Sequence, residues 1–193
     1  MLTLYFSPGA SSMAPHIALH EVGAPFEGKP LSLAKKETHT PEFLAVNPEG
    51  KVPTMLIDGR VLTEVAGILF YLARRFPAAG LLPDGDIEAE GRVVSWMSFI
   101  ASSIHPARRQ GLEHARARYA LADKRLGKND WAVGGRYSIA DIHLFRLYWR
   151  MVNRPNPATG FPRMDGLLAR MMARPAVKKT LEAEVALGYE LPA

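Results

Sequence analysis

The apolar positions of the chain follow one period at the start and another beyond the first third. Leu2, Leu4 and Phe6 alternate with Thr3 and Tyr5, the two-residue repeat of a strand, and Ser7-Pro8-Gly9 ends the run in a turn. Between residues 15 and 22, Ile17, Ala18, Leu19 and Val22 fall on one helix face, closed by Gly23. Residues 26–33 read as a second strand, 41–45 as a short helix and 47–50 as a turn. Residues 52–57 and 60–63 are short apolar runs on either side of Asp58-Gly59, a dipeptide that two-residue hairpin loops prefer. Residues 65–76 read as a helix that Pro77 closes. Strand, helix, strand, short helix, hairpin and helix together predict a small α/β layer.

Residues 78–86 are rich in Pro, Gly and Asp and read as a linker. After them the spacing of apolar residues is helical. It predicts a long helix over 87–119 with a kink at Pro106, a very apolar helix over 139–152, and two more over 167–173 and 177–187. The expected organisation is therefore an α/β domain at 1–77, a linker, and an all-helical domain at 87–193. No internal repeat or low-complexity segment interrupts it.

With 193 residues, 48% hydrophobic and 22% charged, the composition is that of an ordinary globular protein. No apolar run approaches the roughly 20 residues that span a bilayer, and the first residues lack the pattern of a signal peptide. A cytoplasmic protein with no membrane partner is expected. The sequence contains no cysteine, which excludes disulfides, cysteine metal sites and a cysteine nucleophile. Any thiol chemistry must use a ligand's sulfur. The net charge of +5 favours anionic partners. Its densest stretch holds Arg108, Arg109, Arg116, Arg118, Lys124, Arg125 and Lys128, and reads as a solvated helix face. Neither zinc spacing nor a phosphate loop nor an aromatic-basic signature accompanies it, so neither a metal nor nucleic acid is expected.

Candidate chemistry lies in four places. Residues 5–16 (Tyr-Phe-Ser-Pro-Gly-Ala-Ser-Ser-Met-Ala-Pro-His) are a strand end, a turn and a helix opening with two hydroxyls, Ser11 and Ser12. A helix N-terminus favours an anion, and a hydroxyl beside it can donate to a thiolate. Either serine can equally be a plain N-cap. Residues 47–53 (Asn-Pro-Glu-Gly-Lys-Val-Pro) place Val52 and Pro53 at the start of the hairpin, where an ordinary edge strand is the alternative. Leu62-Thr63-Glu64-Val65 sets an acid where a helix begins, a favourable charge there in any case. Residues 96–105 (Trp-Met-Ser-Phe-Ile-Ala-Ser-Ser-Ile-His) end in His105, whose ring can donate a hydrogen bond or carry charge near neutral pH. Two further patterns concern the fold. Ser138-Ile139-Ala140-Asp141 has the spacing of a capping box, and residues 161–177 form a late helix with an Arg-Pro-Ala-Val break.

In this order and at this spacing, nearly end to end, these motifs resemble the cytosolic glutathione transferase family, most closely its bacterial beta class. The resemblance implies a thioredoxin-like domain that binds glutathione, followed by a helical-bundle domain. It implies a homodimeric detoxification enzyme whose partners are glutathione and a hydrophobic electrophile. Ser11 stands where the beta class has cysteine, so disulfide exchange is not expected. Ser11 is instead expected to stabilise the glutathione thiolate, with Ser12 as second candidate and His105 pointing towards the sulfur. The Val52–Pro53 bond is cis in the family, turning the Val52 backbone towards the cysteinyl backbone of glutathione. Glu64 is expected at the γ-glutamyl amine and the Val65 N–H at its carboxylate, where relatives often carry a small or hydroxylated residue. Lys35 and Lys36, a surface pair by themselves, match a basic pair near the glycine carboxylate, and Ser98 matches a position often occupied by an amide. Phe6, Met13 and Tyr119 are expected to line the electrophile cleft. The Ser11-Ser12 pair also resembles the zeta class, a glutathione-dependent isomerase. A transferase fold that only binds ligands is the other alternative.

Overall fold

The alternation at the N-terminus forms β1 (Leu2–Phe6), and α1 (Met13–Glu21), β2 (Phe26–Pro30) and α2 (Pro41–Val46) follow it. The hairpin β3 (Thr54–Ile57) and β4 (Arg60–Thr63) turns at Asp58-Gly59, both at positive φ (49° and 81°), as a two-residue loop of this kind requires. The helix α3 (Val65–Arg75) closes the layer. This computed structural model describes residues 1–83, 85–155 and 157–189.

The four strands pair in the order β2-β1-β3-β4. β1 runs parallel to β2, with Leu4 opposite Gly28, and antiparallel to β3, with Leu4 opposite Met55. A Cβ at Gly28 would stand 3.3 Å from the Phe6 ring, so a larger residue there needs that ring to shift. Leu4, Met55, Ile17, Leu19, Ile68, Leu69 and Leu72 are fully buried and form one core.

The chain divides into two units, Met1–Leu72 with the segment from Pro175, and Ala73–Arg174. The division differs from the expected one at its end. The last helix, α8 (Pro175–Leu187), packs against α1 rather than belonging with the other helices. This explains why Met13 to Leu19 are buried without a break. The sheet and α8 each cover part of α1, so a single apolar face does not describe it.

In the second unit, α4 (Ile87–Phe99) runs into a π turn (Ile100–Ile104) and a short helical turn (His105–Ala107). The helix does not continue to residue 119, as the spacing predicted. Arg108–Gln110 tighten into a 3-10 turn, and Gly111 at φ 104° breaks the path before α5 (Leu112–Leu126) begins. The kink expected at Pro106 is thus a longer departure that ends at a glycine. In α6 (Ile139–Val152) every residue but Arg150 and Val152 is buried. The capping box forms as expected. Ser138 Oγ accepts from the Ala140 N–H at 3.3 Å, and Asp141 accepts from the Ser138 N–H at 2.9 Å and the Ala132 N–H at 2.7 Å. Burial outweighs these bonds and pushes the Asp141 carboxyl up to about 6. α7 (Pro162–Ala173) starts five residues earlier than predicted because Pro162 sits at its first turn, where proline is tolerated.

Candidate active site

The turn between β1 and α1 separates the two serines by function. Ser12 is fully buried, accepts from the Ser7 N–H at 3.0 Å and donates to the Ser7 carbonyl at 3.2 Å. Its hydroxyl ties the turn to itself, which corrects its standing as a second thiolate donor. Ser12 holds the N-cap position of α1, but with a helical backbone and no side-chain cap bond. Ser11 is only part-buried, and its hydroxyl donates to the Val52 carbonyl at 3.2 Å, across 41 residues of sequence.

The same turn is held from α8. Glu184, fully buried, accepts from the Gly9 N–H at 2.8 Å with one oxygen and meets His16 Nδ1 at 2.9 Å with the other. Gly9 has φ 73°, a conformation few other residues adopt. Sequence reasoning missed this pair. The legible signal was a glutamate on a buried stripe, since Val177, Thr180 and Glu184 recur at helical spacing on the inward face of α8.

Val52–Pro53 is cis. Asn47, nearly fully buried, braces the loop that leads to it. Its amide donates to the Lys51 carbonyl at 3.1 Å and to Thr54 Oγ1 at 2.8 Å, and its oxygen accepts from the Glu49 N–H at 3.0 Å. Among the described residues, three that are not glycine have positive φ: Lys36, Asp58 and Glu64. Asp58 is the hairpin turn. The other two are expected glutathione contacts, both exposed, with φ of 57° and 65°. Strained conformations of this kind persist where the fold imposes them, and they concentrate at functional sites. Lys35 is exposed and its N–H donates to Ser32 Oγ at 3.0 Å. Val65 is buried at the head of α3.

The remaining candidates lie elsewhere. Phe6 is 4% exposed with its ring 4.8 Å from that of His16, and Met13 is 0% exposed; both belong to the core of the sheet unit. Tyr119 is buried in the helical unit, donates to the Leu147 carbonyl at 2.9 Å and packs against Tyr148 and Phe161. The three do not present a cleft lining. They are large apolar groups that the fold needs inside, which local sequence could not distinguish from an exposed wall. Ser98 is exposed on α4.

His105 sits just after the π turn, with part of its surface in solvent. The protein around the ring, and then the positive charges of Arg146, Arg109, Arg150 and Arg108, lower its pKa to about 4. The ring is therefore neutral at neutral pH. That removes one of its two expected roles, carrying charge, and leaves the other, hydrogen bonding.

Two family models match the chain: the N-terminal domain of glutathione S-transferase over residues 1–74 and the C-terminal domain over 96–175. Glutathione S-transferase GstA of Escherichia coli O157:H7 is 32% identical, over 95% of this chain and 98% of its own length. A solved sphingomonad glutathione S-transferase complexed with glutathione is 36% identical, with a TM-score of 0.85 over 95% of this chain and 98% of that one. A bacterial beta class enzyme from Sphingomonas chungbukensis is 35% identical, with a TM-score of 0.83 over 94% and 98%. The architecture is thus the thioredoxin-like sheet domain followed by a helical domain.

Proposed function

The chain belongs to the glutathione S-transferase family, and from that premise we propose a glutathione transferase whose thiolate-stabilising group is Ser11. Glutathione is the co-substrate. The observation that carries the role of Ser11 is its 3.2 Å hydrogen bond to the Val52 carbonyl. It brings a hydroxyl at the opening of α1 and the backbone ahead of Pro53 to one place within one unit. Without substrate, the hydroxyl donates to a neutral carbonyl. A thiolate placed beside it is the better acceptor, because bonds to an ionised partner are about twice as strong as neutral ones. The opening of α1 adds a favourable field for the negative sulfur.

In this reading Val52 pairs its backbone with the peptide, Glu64 holds the γ-glutamyl amine and the Val65 N–H its carboxylate, and Lys35 and Lys36 face the glycine end. The glutathione-binding domain comprises residues 1–77 with α8 docked on α1, joined through 78–86 to the helical domain. The reaction is attack of the glutathione sulfur on an electrophilic carbon. The thiol proton passes to solvent, a carbon–sulfur bond forms, and the electron pair leaves with the departing group. Ser11 makes no covalent bond. A hydrophobic electrophile, a homodimer and a detoxifying role in the cytoplasm belong to the same proposal. Exposed Val61 and Phe70, on β4 and α3, offer apolar surface for a second copy. Relatives named maleylacetoacetate isomerase match at lower identity or over less of their length, 26% for that of Pseudomonas aeruginosa and 34% over 56% of its own length for that of Rhizobium meliloti, so isomerisation is not the favoured reading.

The test is the ultraviolet absorbance of the thiolate of bound glutathione as a function of pH. Ser11→Ala is expected to raise its pKa by about one unit, about 1.4 kcal/mol of lost stabilisation. The same pKa in both proteins removes Ser11 from the mechanism.

A further inference from the structure

Within the helical unit, Arg146, Arg150 and Arg154 are spaced by four residues, along the last two turns of α6 and just past its end. That spacing sets Arg146 and Arg150 on one helix face, and Arg154 follows in the bend past the C-cap. Arg108, in the 3-10 turn before α5, lies within electrostatic range of Arg154, Tyr119 and Arg109, and Arg150 within range of Arg108, Arg154 and Tyr119. The Tyr119–Leu147 hydrogen bond fixes α5 to α6 at this level. Arg108, Arg150 and Arg154 are each part-buried; among the described residues the Nε atoms of Arg150 and Arg154 are buried without a hydrogen-bond partner, as is that of Arg170, whose head group is nevertheless paired with Asp130.

Other arginines of this unit are matched with acids. Arg163 pairs with Asp123 and Arg170 with Asp130, both at 3.3 Å, and Arg74 with Glu90 at 3.6 Å. Among the described residues, Arg108, Arg150 and Arg154 form no such pair. Tyr119 cannot supply the missing charge, because burial raises its phenol far above neutrality and its hydroxyl is already bonded. Desolvation, then the charges of Arg108 and Arg154, bring the Arg150 pKa down to about 10. Three part-buried cations thus lie within electrostatic range of one another, and among the described residues none is paired with an acid.

We propose that Arg108, Arg150 and Arg154 form a binding site for a dianionic oxyanion group of the phosphate or sulfate kind. A planar guanidinium offers paired donors to two oxygens at once. A tetrahedral dianion has enough oxygens to engage several such forks, whereas a monocarboxylate satisfies one. The site is formed by the helical unit alone, so it stands or falls separately from the role of Ser11. By sequence Arg108 belongs to a solvated basic face, and nothing local links it to Arg150 and Arg154, which the fold brings within its electrostatic range.

Calorimetric titration of the full chain at low ionic strength tests the site, with inorganic phosphate, phenyl phosphate and acetate as probes. Inorganic phosphate is expected to bind once per chain and at least about tenfold more tightly than acetate, as a second or third charge-assisted bond implies. Phenyl phosphate binding more tightly than inorganic phosphate identifies the ligand as an organic phosphate; equal affinity identifies the free ion. Both outcomes support the site. Arg150→Gln and Arg154→Gln should each weaken phosphate by about tenfold or more, and Arg150→Lys, which keeps charge but loses the fork, by less. Arg154 lies beyond the helix, so its variant serves even if Arg150→Gln does not fold. Arg163→Gln, at an arginine already paired with an acid, should leave phosphate affinity unchanged. Equal affinity for acetate and phosphate overturns the proposal, as does phosphate affinity unaltered in both Gln variants. Binding of a short DNA duplex with a steep salt dependence and no binding of phosphate assigns the cluster to nucleic acid instead and also overturns it.

Discussion

In the turn after β1, the Gly9 N–H, both capacities of the Ser12 hydroxyl and His16 Nδ1 are matched by groups from the protein itself, with the buried Ser7 Oγ the exception. In the helical unit, Arg150 and Arg154 bury Nε atoms that find no partner among the described residues. Both regions carry polar groups out of water, and the cost of doing so is comparable in kind. The difference is in what settles it. Matched groups fix a backbone in one conformation, which is what a site needs if a serine is to meet a sulfur at a set distance. Unmatched cations make no such frame, and their cost is lowered only by something that arrives from outside.

The comparison breaks most sharply at Glu184. Removing a buried acceptor leaves its partners unsatisfied at about 1–3 kcal/mol each, and Glu184 serves two, the Gly9 N–H and His16 Nδ1. Glu184→Ala should therefore lower the free energy of unfolding by that order, measured by urea denaturation of the full chain. Glu184→Gln should cost clearly less, since its amide oxygen can still accept from the Gly9 N–H. If both variants retain wild-type stability, the turn is not held from α8, and the contrast with the arginines fails.

A smaller effect sharpens the comparison from the other side, for the helical unit is not loosely matched throughout. Its capping box satisfies three donors around Ser138 and Asp141. Ser138→Ala should cost about 1 kcal/mol, the usual loss at an N-cap. Asp141 adds a dependence on pH. Its folded pKa of about 6 lies above the unfolded value of 3.8, so the folded chain holds the proton longer. Stability from this group is accordingly greatest below about pH 4 and declines as pH rises through about 6. In Asp141→Asn that decline should vanish from the pH profile of unfolding; a profile identical to wild type would show that other groups set it.

These two regions also show what could be read from the sequence. The Asp58-Gly59 hairpin and the Ser138-Asp141 box are local, each specified by a few adjacent residues with one geometry available to them, and both form as expected. Pro41 and the helix boundaries of α6 are legible for the same reason. The Glu184–His16 bond joins residues 168 apart, and no spacing rule marks such a pair. Ser11 and Ser12 look alike in sequence, yet one turns to the Ser7 backbone and the other to Val52, a choice set by the fold. Phe6, Met13 and Tyr119 carry the same ambiguity, because an apolar side chain suits a core and a cleft equally. The break at Gly111 was hidden by helix-forming residues on both sides of a single glycine.

The smallest predicted effect links the arginines to a titrating group. His105 has a pKa of about 4, below the unfolded value of 6.5, so the folded chain resists its protonation. The contribution to stability is lost as pH falls from about 6.5 and is fully absent below about 4. Desolvation is the larger cause and the arginines the lesser one. Arg150→Gln removes one facing charge and leaves Arg146, Arg109, Arg108 and the neighbouring His143 in place. The His105 pKa, followed by NMR of the ring, should rise by a fraction of a unit and stay below 6.5. A rise to 6.5 would mean that charge, not burial, holds the ring neutral. No rise at all would mean that Arg150 does not act on His105.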